Sequence, residues 1–352
     1  MFNFVFELGN DTVITFGCVN SVVNELQRTG GLPISFDIVI VDESHHAGSV
    51  SYQQVLSYLH AGQEGGPFLL GLTATPWRGD YKDIRDIFGD SICSIDMIQG
   101  MRDGYLANVD YRLYLNNINW QALGDMHAVT PRSLNRSLFI EEWDEGVIDM
   151  LQQTWNDVSK PKAIIFCQTI QAALNICAIV NSRGFTSAEI LYSGANNGKM
   201  LTPVERATRL NDFADGRKNV LCAVDILNEG IDVPDVNIIV FQRTTHSRRI
   251  FVQQLGRGLR IKEGKDTVIV LDFVSDIRRI AAGLELKDGL KGSQKYIRGV
   301  PVKFMRHGKE DIRAESFFRS WLEDVATVES AEEDEVVLKF PPIEEFADLM
   351  QD

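Results

Sequence analysis

Two α/β domains built on mainly parallel sheets are the fold class this sequence predicts, and three observations predict it. Short β-branched runs alternate with amphipathic segments along most of the chain, which is the pattern of βαβ units. The runs are almost continuously apolar, as strands covered on both faces are. At 352 residues and 44% hydrophobic content, the chain can fill two ordinary cores of roughly 150 residues each.

The strands are expected in order at 12–19 (TVITFGCV), 36–42 (FDIVIVD) and 67–73 (PFLLGLT), the last ended by Pro76. The run of strands then breaks. NNINWQALGDMHAVTPRSLN reads as a polar connection before a long helix at 140–158, which places a domain boundary within 118–138. Beyond it, strands are expected at 162–168, 219–225, 236–242 and 266–272. Helices are expected at 170–183 and 203–215, where apolar residues recur at three- and four-residue spacing. Crossovers between parallel strands default to the right hand. Downstream of residue 285 the pattern fades: Gly289, Gly292 and Gly299 loosen the chain, FFRSWLEDV offers one short amphipathic helix, and ESAEEDE (329–335) is an acidic run. An appendage or partly disordered tail is expected there. The expected division is 1–117, a linker at 118–138, 139–284, and a tail at 285–352.

The net charge of −14 argues against a uniformly basic, nucleic-acid-coating surface, but its distribution qualifies that. Residues 301–352 hold six basic residues against fourteen acidic, more than half the excess. Residues 278–300 instead hold six basic residues, Arg278 and Arg279 among them, against Glu285 and Asp288. That stretch reads equally as a solvated helix face or a phosphate-contacting patch. The five cysteines (Cys18, Cys93, Cys167, Cys177, Cys222) are scattered with no C-x-x-C pair, which favours buried thiols over disulfides or zinc. No uncharged apolar run approaches the roughly 18 residues of a membrane span, and the first residues lack a basic leader pattern, so no membrane partner and a cytoplasmic location are expected.

Chemistry concentrates in four segments: VIVDESHH (39–46), LTATP (72–76), LNEGIDVPDV (227–236) and VQQLGRGLR (252–260). Asp42 and Glu43 follow an apolar strand core, so both carboxylates emerge at a strand's carboxyl end, where open α/β sheets bind ligands. A phosphoanhydride hydrolase needs one carboxylate to hold magnesium and another to orient the attacking water. Asp42 suits the first task and Glu43 the second, with His45 connecting them to the other domain. Taken alone, such a pair is more often a loop. A rival reading makes Glu43, His45 and His46 metal ligands, but adjacent histidines on a short turn point apart and the H-E-x-x-H spacing is absent. On a helix, Gln253, Arg257 and Arg260 share a face beside Gly256, so two guanidinium groups can converge on one phosphate. Gly230 and Asp232 put a close backbone approach and a carboxylate beyond the 219–225 strand. Thr73, Ala74 and Thr75 are small residues whose two hydroxyls can switch hydrogen bonds between neighbours.

The four segments, in this order, resemble motifs II, III, V and VI of superfamily 2 DExH-box helicases and translocases, and IIFCQT (164–169) resembles motif IV. LNEGIDVPDVN, QQLGRGLR followed by EGKD and VLDF, and DGYLANVDY after LTATPWRGD are similar to the branch that includes type I and type III restriction motor subunits. The resemblance runs from about Thr12 to about Ala282. It implies two RecA-like domains, the first incomplete, with ATP and Mg2+ in the cleft between them and nucleic acid, DNA or RNA, across both. Asp42 and Glu43 then act from the first domain, and Gly230, Asp232, Gln253, Gly256, Arg257 and Arg260 from the second. Candidates for nucleic-acid contact are Cys18, Asn20, Gln168, Thr169, Arg278 and Arg279. FGCVNS (16–21) carries Cys18 and Asn20 where the family usually has Thr and Gln, and Val224 stands where many relatives have Thr.

The phosphate-binding loop is the large departure. G-x-x-x-x-G-K-[ST] does not occur; Gly198-Lys199, Gly264-Lys265 and Gly308-Lys309 are followed by Met, Asp and Glu. An amino-terminally incomplete motor is therefore expected, the loop coming from a missing upstream segment or a partner chain. The expected function is an ATP-dependent nucleic-acid helicase or translocase, DNA favoured, of a restriction or phage-defence system. The alternative is a non-hydrolysing nucleic-acid-binding or scaffold module. A third, weaker reading is a metal nuclease built on Asp276, Glu285 and Lys287.

Overall fold

The alternating runs fold as parallel βαβ units. A computed structural model of the chain describes residues 4–8, 12–32, 35–73, 84–93, 95, 97–115, 128–129, 143–193, 195–196, 199–224, 235–242, 259, 261, 265, 267–273, 280, 283–284, 302–306, 308–321 and 338–339. The chain divides into two units, residues 1–94 and 95–352. Among the described residues no helix is long and apolar enough to cross a membrane.

In the first unit, β1 (Phe4–Leu8) and β2 (Thr12–Phe16) pair antiparallel. The strand expected over 12–19 stops at Phe16 because the chain turns at Cys18 into α1 (Val19–Thr29). β3 (Ile38–Val41) and β4 (Phe68–Gly71) pair in parallel, Ile38 opposite Phe68 and Val41 opposite Gly71. Parallel neighbours need a crossover, and α2 (Val50–Leu59) supplies it. Val41, Ala47 and Leu56 form a small core with Val39, Tyr52, Leu69 and Phe88 against it. A Cβ on Gly71 would lie 2.8 Å from the Phe88 ring of α3 (Arg85–Phe88), so the bare backbone is what lets that ring close on β4.

Coverage on both faces, expected of every strand, fails here. Side chains alternate across a strand, so Val39 and Val41 share the core face while Ile38 and Ile40 take the other. Ile38, Ile40 and Phe68 are 58%, 59% and 60% exposed. An apolar run fixes strand propensity; it does not fix what packs on each face.

The second unit runs α4 (Met97–Arg102), β5 (Asn108–Tyr114), β6 (Ala128–Val129), α5 (Asp144–Asp157), β7 (Ala163–Phe166), α6 (Ile170–Arg183) and β8 (Ala188–Tyr192). Then come β9 (Ala195–Asn196), β10 (Lys199–Met200), α7 (Pro203–Ala214), β11 (Val220–Val224), β12 (Ile238–Phe241) and β13 (Thr267–Phe273). β14 (Val302–Arg306), β15 (Lys309–Glu310), α8 (Ile312–Trp321) and β16 (Leu338–Lys339) complete it. Its main sheet has the order β15-β14-β5-β13-β12-β7-β11-β8, and every pairing in it is parallel except β14 with β15. β7, β11 and β12 are buried at every residue, as their unbroken apolar runs require. The expected helices 170–183 and 203–215 form almost to the residue. Each starts where a threonine caps it. Thr169 accepts from Ala172 N–H, and Thr202 and Glu205 make a reciprocal capping box ahead of Pro203.

Two features correct the expected division. Residues 108–114, expected in the first domain, lie in the second, paired with β13 from Asn108 opposite Thr267 to Tyr114 opposite Phe273. The Tyr111 hydroxyl also donates to the buried Asp272 carboxylate. The boundary therefore falls between residues 94 and 95 instead of within 118–138. Residues 302–321, expected in a loose tail, extend the same sheet through β14 and β15 and pack α8 on it, burying Phe304, Ala314 and Phe318. β14 alternates buried and half-buried positions, a period-two signal weaker than the continuous runs of the central strands.

Asp110 holds this added strand by charge. Lys303 of β14 stands opposite Arg112 of β5, and like charges directly across a sheet repel. Lys303 Nζ donates to Asp110 Oδ1 at 2.7 Å, and Arg112 donates to Oδ2 at 2.8 and 3.0 Å, so one carboxylate separates both cations. Burial opposes ionisation of Asp110, yet the hydrogen bonds from Lys303 and Arg112 together outweigh it and hold the group below its ordinary 3.8. A carboxyl held low in the fold contributes stability that is complete above 3.8 and is lost as pH falls through the lower folded value. Asp110→Asn is expected to cost about 1 kcal/mol at neutral pH, allowing for solvent screening, and to shrink the acid-dependent loss in urea unfolding followed from pH 6 downward. Phe304→Ala, which opens a cavity where β14 docks, is expected to cost about 3–5 kcal/mol in the same assay.

Candidate functional site

The carboxyl end of β3 bends sharply, and the bend gathers four of the expected residues. Leu72 N–H donates to Val41 O and Ser44 N–H donates to Leu72 O, each at 2.8 Å, so the β3–β4 ladder continues past the strands and pins the turn. Asp42 is exposed directly beyond Val41. Glu43 takes a left-handed conformation (φ 48°, ψ 48°), which costs a residue with a Cβ about 1–2 kcal/mol. Local hydrogen bonds offset that: Glu43 N–H donates to Asp42 Oδ1 at 2.9 Å, and His46 N–H to Glu43 O at 2.9 Å, opening a single 3-10 turn over Ser44–His46. Backbone held in a disfavoured region by its surroundings marks a functional site more often than chance.

The bend carries His45 into the interior, next to the residue after β4. Its Nδ1 lies 3.0 Å from Thr73 Oγ1 and 3.4 Å from Glu43 Oε2. The Thr73 hydroxyl is within hydrogen-bonding distance of that nitrogen, and the Glu43 carboxylate lies at ion-pair distance from it. Asp42, Glu43, His45 and Thr73 thus form one connected group. The His45 and His46 rings are tilted by 48° with centroids 4.1 Å apart. Among the described residues no set of three or more His, Cys, Asp or Glu side chains can hold a metal ion by itself.

The other expected positions are more scattered. Cys18 and Asn20 are exposed at the start of α1. In the second unit, Gln168 and Thr169 are exposed beyond the carboxyl end of β7, where Thr169 Oγ1 accepts from Ala172 N–H at 3.1 Å. Ala74, Thr75, Gly230, Asp232, Gln253, Gly256, Arg257, Arg260, Arg278 and Arg279 lie outside the described residues.

One residue at the same edge escaped sequence reasoning. Gln242, buried just beyond β12, donates from Nε2 to Asp144 Oδ1 at 2.5 Å and ties the start of α5 to the sheet. Beside it, Tyr114 stacks on Phe273 at 4.8 Å and Trp143 meets Phe273 edge-on at 5.4 Å. A polar residue ending an apolar run was the available signal, but its partner lies far away in the chain. A cleft of about 1000 Å3 opens at the opposite, amino ends of the strands, lined by Trp155, Lys162, Phe185, Asp235 and Lys265. There Lys162 donates to Ala214 O at 3.0 Å and Lys265 to Val236 O at 3.1 Å, so both ammonium groups serve backbone carbonyls of the fold.

Helices against a mainly parallel sheet, with polar residues gathered at strand carboxyl ends, are consistent with the fold of RecA-like helicase domains. Residues 146–262 match the helicase conserved C-terminal domain, and residues 7–78 match the res subunit of type III restriction enzymes. Together the two matches support a superfamily 2 helicase of the restriction-motor branch. It is 26% identical over 296 residues to the DNA 3'-5' translocase XPB2 of Sulfurisphaera tokodaii, covering 74% of this chain and 62% of that one. It is also 26% identical over 325 residues to an Escherichia coli type I restriction enzyme EcoAI endonuclease subunit, covering 84% and 37%. The type ISP restriction-modification enzyme LlaBIII bound to DNA shares the fold, with TM-score 0.54 and 17% identity over 90% of this chain and 25% of that one. Curated relatives aligned over about two thirds or more of this chain are longer; it spans 34–62% of their lengths.

Thr73→Val removes the hydroxyl beside His45 at nearly constant volume. It is expected to cost about 1 kcal/mol in urea unfolding of the full chain, whereas Thr73→Ser keeps the oxygen and is expected to stay near the parent.

Proposed function

We propose that the whole protein is an ATP-dependent DNA translocase or helicase of the restriction-motor kind, and that this chain supplies its hydrolytic carboxylates and its second motor domain. The observation that carries the reading is the connected group of Glu43, His45 and Thr73, which joins a strand-end carboxylate to the segment leaving β4. A carboxylate that orients water is useful to a motor only when something reports its state onward, and a buried imidazole shared between Glu43 and Thr73 can do so.

Asp42 fits a magnesium ion. It is an exposed, hard oxygen donor of which, among the described residues, only Oδ1 is engaged, and Mg2+ takes one or two carboxylates together with waters and substrate phosphates. A bound Mg2+ would neutralise charge on the β and γ phosphates. In this reading Glu43 positions the attacking water, and Arg257 and Arg260 stabilise charge on the transferred phosphoryl group. Gln253, Gly256, Gly230 and Asp232 contact nucleotide or couple it to movement, and Ala74 and Thr75 extend the relay begun at Thr73. Cys18, Asn20, Gln168, Thr169, Arg278 and Arg279 line the strand's path, where contacts go to the phosphate backbone and read little sequence. G-x-x-x-x-G-K-[ST] does not occur within residues 1–352, so this reading assigns the phosphate loop to no residue of this sequence. DNA is favoured over RNA because one relative aligned over most of the chain is named a DNA 3'-5' translocase and another a type I restriction enzyme endonuclease subunit.

The test is steady-state ATP hydrolysis by the whole protein with and without duplex DNA, single-stranded DNA and RNA. DNA is expected to stimulate turnover, and Glu43→Gln or Arg257→Ala to lower it by about 100-fold or more. Unchanged turnover in both variants overturns the site. Full-affinity DNA binding that ATP never alters favours a scaffold over a motor.

A further inference from the structure

Leu259 stands between Arg257 and Arg260 in GRGLR (256–260), and the fold holds it by both backbone and side chain. Its carbonyl accepts from Ala107 N–H at 2.8 Å. Its side chain is fully buried, in the same core as Ala107. Two residues further on, Ile261 is 51% exposed, so the burial belongs to Leu259 and not to every apolar residue of the stretch.

The donor is fixed in turn. α4 ends in a tight turn where Tyr105 N–H and Leu106 N–H both donate to Gly100 O, at 2.8 and 3.0 Å, and Gly104 takes a left-handed φ of 77°. A Cβ on Gly100 would lie 2.9 Å from Leu106 Cδ1, so the bare backbone lets Leu106 fold back over the helix. Leu106 and Met101 both pack on the core. Ala107 leads directly into β5, whose first residue, Asn108, lies opposite Thr267 of β13. Adjacent residues 107 and 108 therefore pin Leu259 and Thr267, the two ends of one loop. Lys265 Nζ adds a further tie at 3.1 Å to Val236 O.

We infer that Leu259, gripped by the turn over residues 100–107, is a positioning residue for Arg257 and Arg260. The inference rests on the reading of those two arginines as stabilisers of charge on the transferred phosphoryl group. Covalent geometry carries the anchor to them: neighbouring Cα atoms are about 3.8 Å apart, so Arg260 Cα lies that far from Leu259 Cα and Arg257 Cα within about 7.6 Å of it. An arginine that meets charge in a transition state must have its guanidinium in place beforehand, and a misplacement of about 1 Å costs on the order of 100-fold in rate. A long side chain inherits every shift of its backbone. The buried leucine and the Ala107 bond remove that shift, while the arginine side chains themselves stay free to meet the nucleotide.

The experiment is steady-state ATP hydrolysis by the whole protein with the nucleic acid that stimulates the parent most, kcat and KM for ATP being resolved below the unfolding midpoint of each variant. Leu259→Ala is expected to lower kcat by about 10-fold or more with KM within about 2-fold of the parent. Leu259→Met keeps the volume and is expected to restore kcat. Gly100→Ala, remote from the arginines in sequence, is expected to lower kcat in the same way by pressing on Leu106. A positioning residue acts only through what it positions, so adding Leu259→Ala to an Arg257→Ala, Arg260→Ala protein is expected to bring no further loss.

Parent-like kcat in folded Leu259→Ala overturns the inference, and so does a loss that multiplies in full with that of the arginine variants. Where Leu259→Ala does not fold, Gly100→Ala decides by the same two readouts. Parent-like turnover in the Arg257→Ala, Arg260→Ala protein overturns the assignment of the arginines and this inference with it. Impaired arginine variants beside an unimpaired Leu259→Ala overturn this inference alone.

Discussion

Parallel pairing is the constraint on which the rest depends. Strands that run the same way cannot be joined by tight turns, so after each one the chain must cross back over a face of the sheet. Every strand in the set then ends on one edge, and whatever follows a strand is delivered to that edge. In the first unit this puts the segment after β3 and the segment after β4 side by side, which is why Thr73 meets His45 and, through it, Glu43 although it lies 28 residues beyond His45. In the second unit it gathers Gln168, Thr169 and Gln242 by the same rule.

The two units meet that constraint with very different margins. Central strands of the second unit are flanked by further strands and buried at every residue. β3 and β4 have one covered face. The uncovered one presents Ile38, Ile40 and Phe68, and a two-stranded sheet of four-residue strands is marginal by itself. A continuous ladder through Leu72 and Ser44 and the small core around Val41 and Leu56 are what keep the turn at Asp42 in shape. The disfavoured backbone at Glu43 therefore rests on the least buried part of the fold.

Much of this was legible locally. The apolar runs expected at 162–168, 219–225 and 236–242 and the helix periodicity at 170–183 each carry their own signal in a short window, and strands at 163–166, 220–224 and 238–241 and a helix at 170–183 form within them. Asp42 and Glu43 were legible because a carboxylate directly after an apolar strand must emerge at its end. β5 and β14 were not assigned correctly. Both alternate with period two instead of running continuously apolar, and alternation says that one face is buried without saying in which sheet.

By itself, then, the sequence determined strand and helix propensity, the parallel class, the order of the helicase motifs and the residue types at strand ends, because backbone geometry and side-chain period act over a few residues. Only the tertiary structure decided that residues 108–114 and 302–306 complete the second sheet, that Ile38 and Ile40 stay exposed, and that His45 turns inward to Thr73. Each of those depends on which distant segments come together. Long-range pairing is settled by the summed burial and hydrogen bonding of whole elements, and no local pattern encodes that sum.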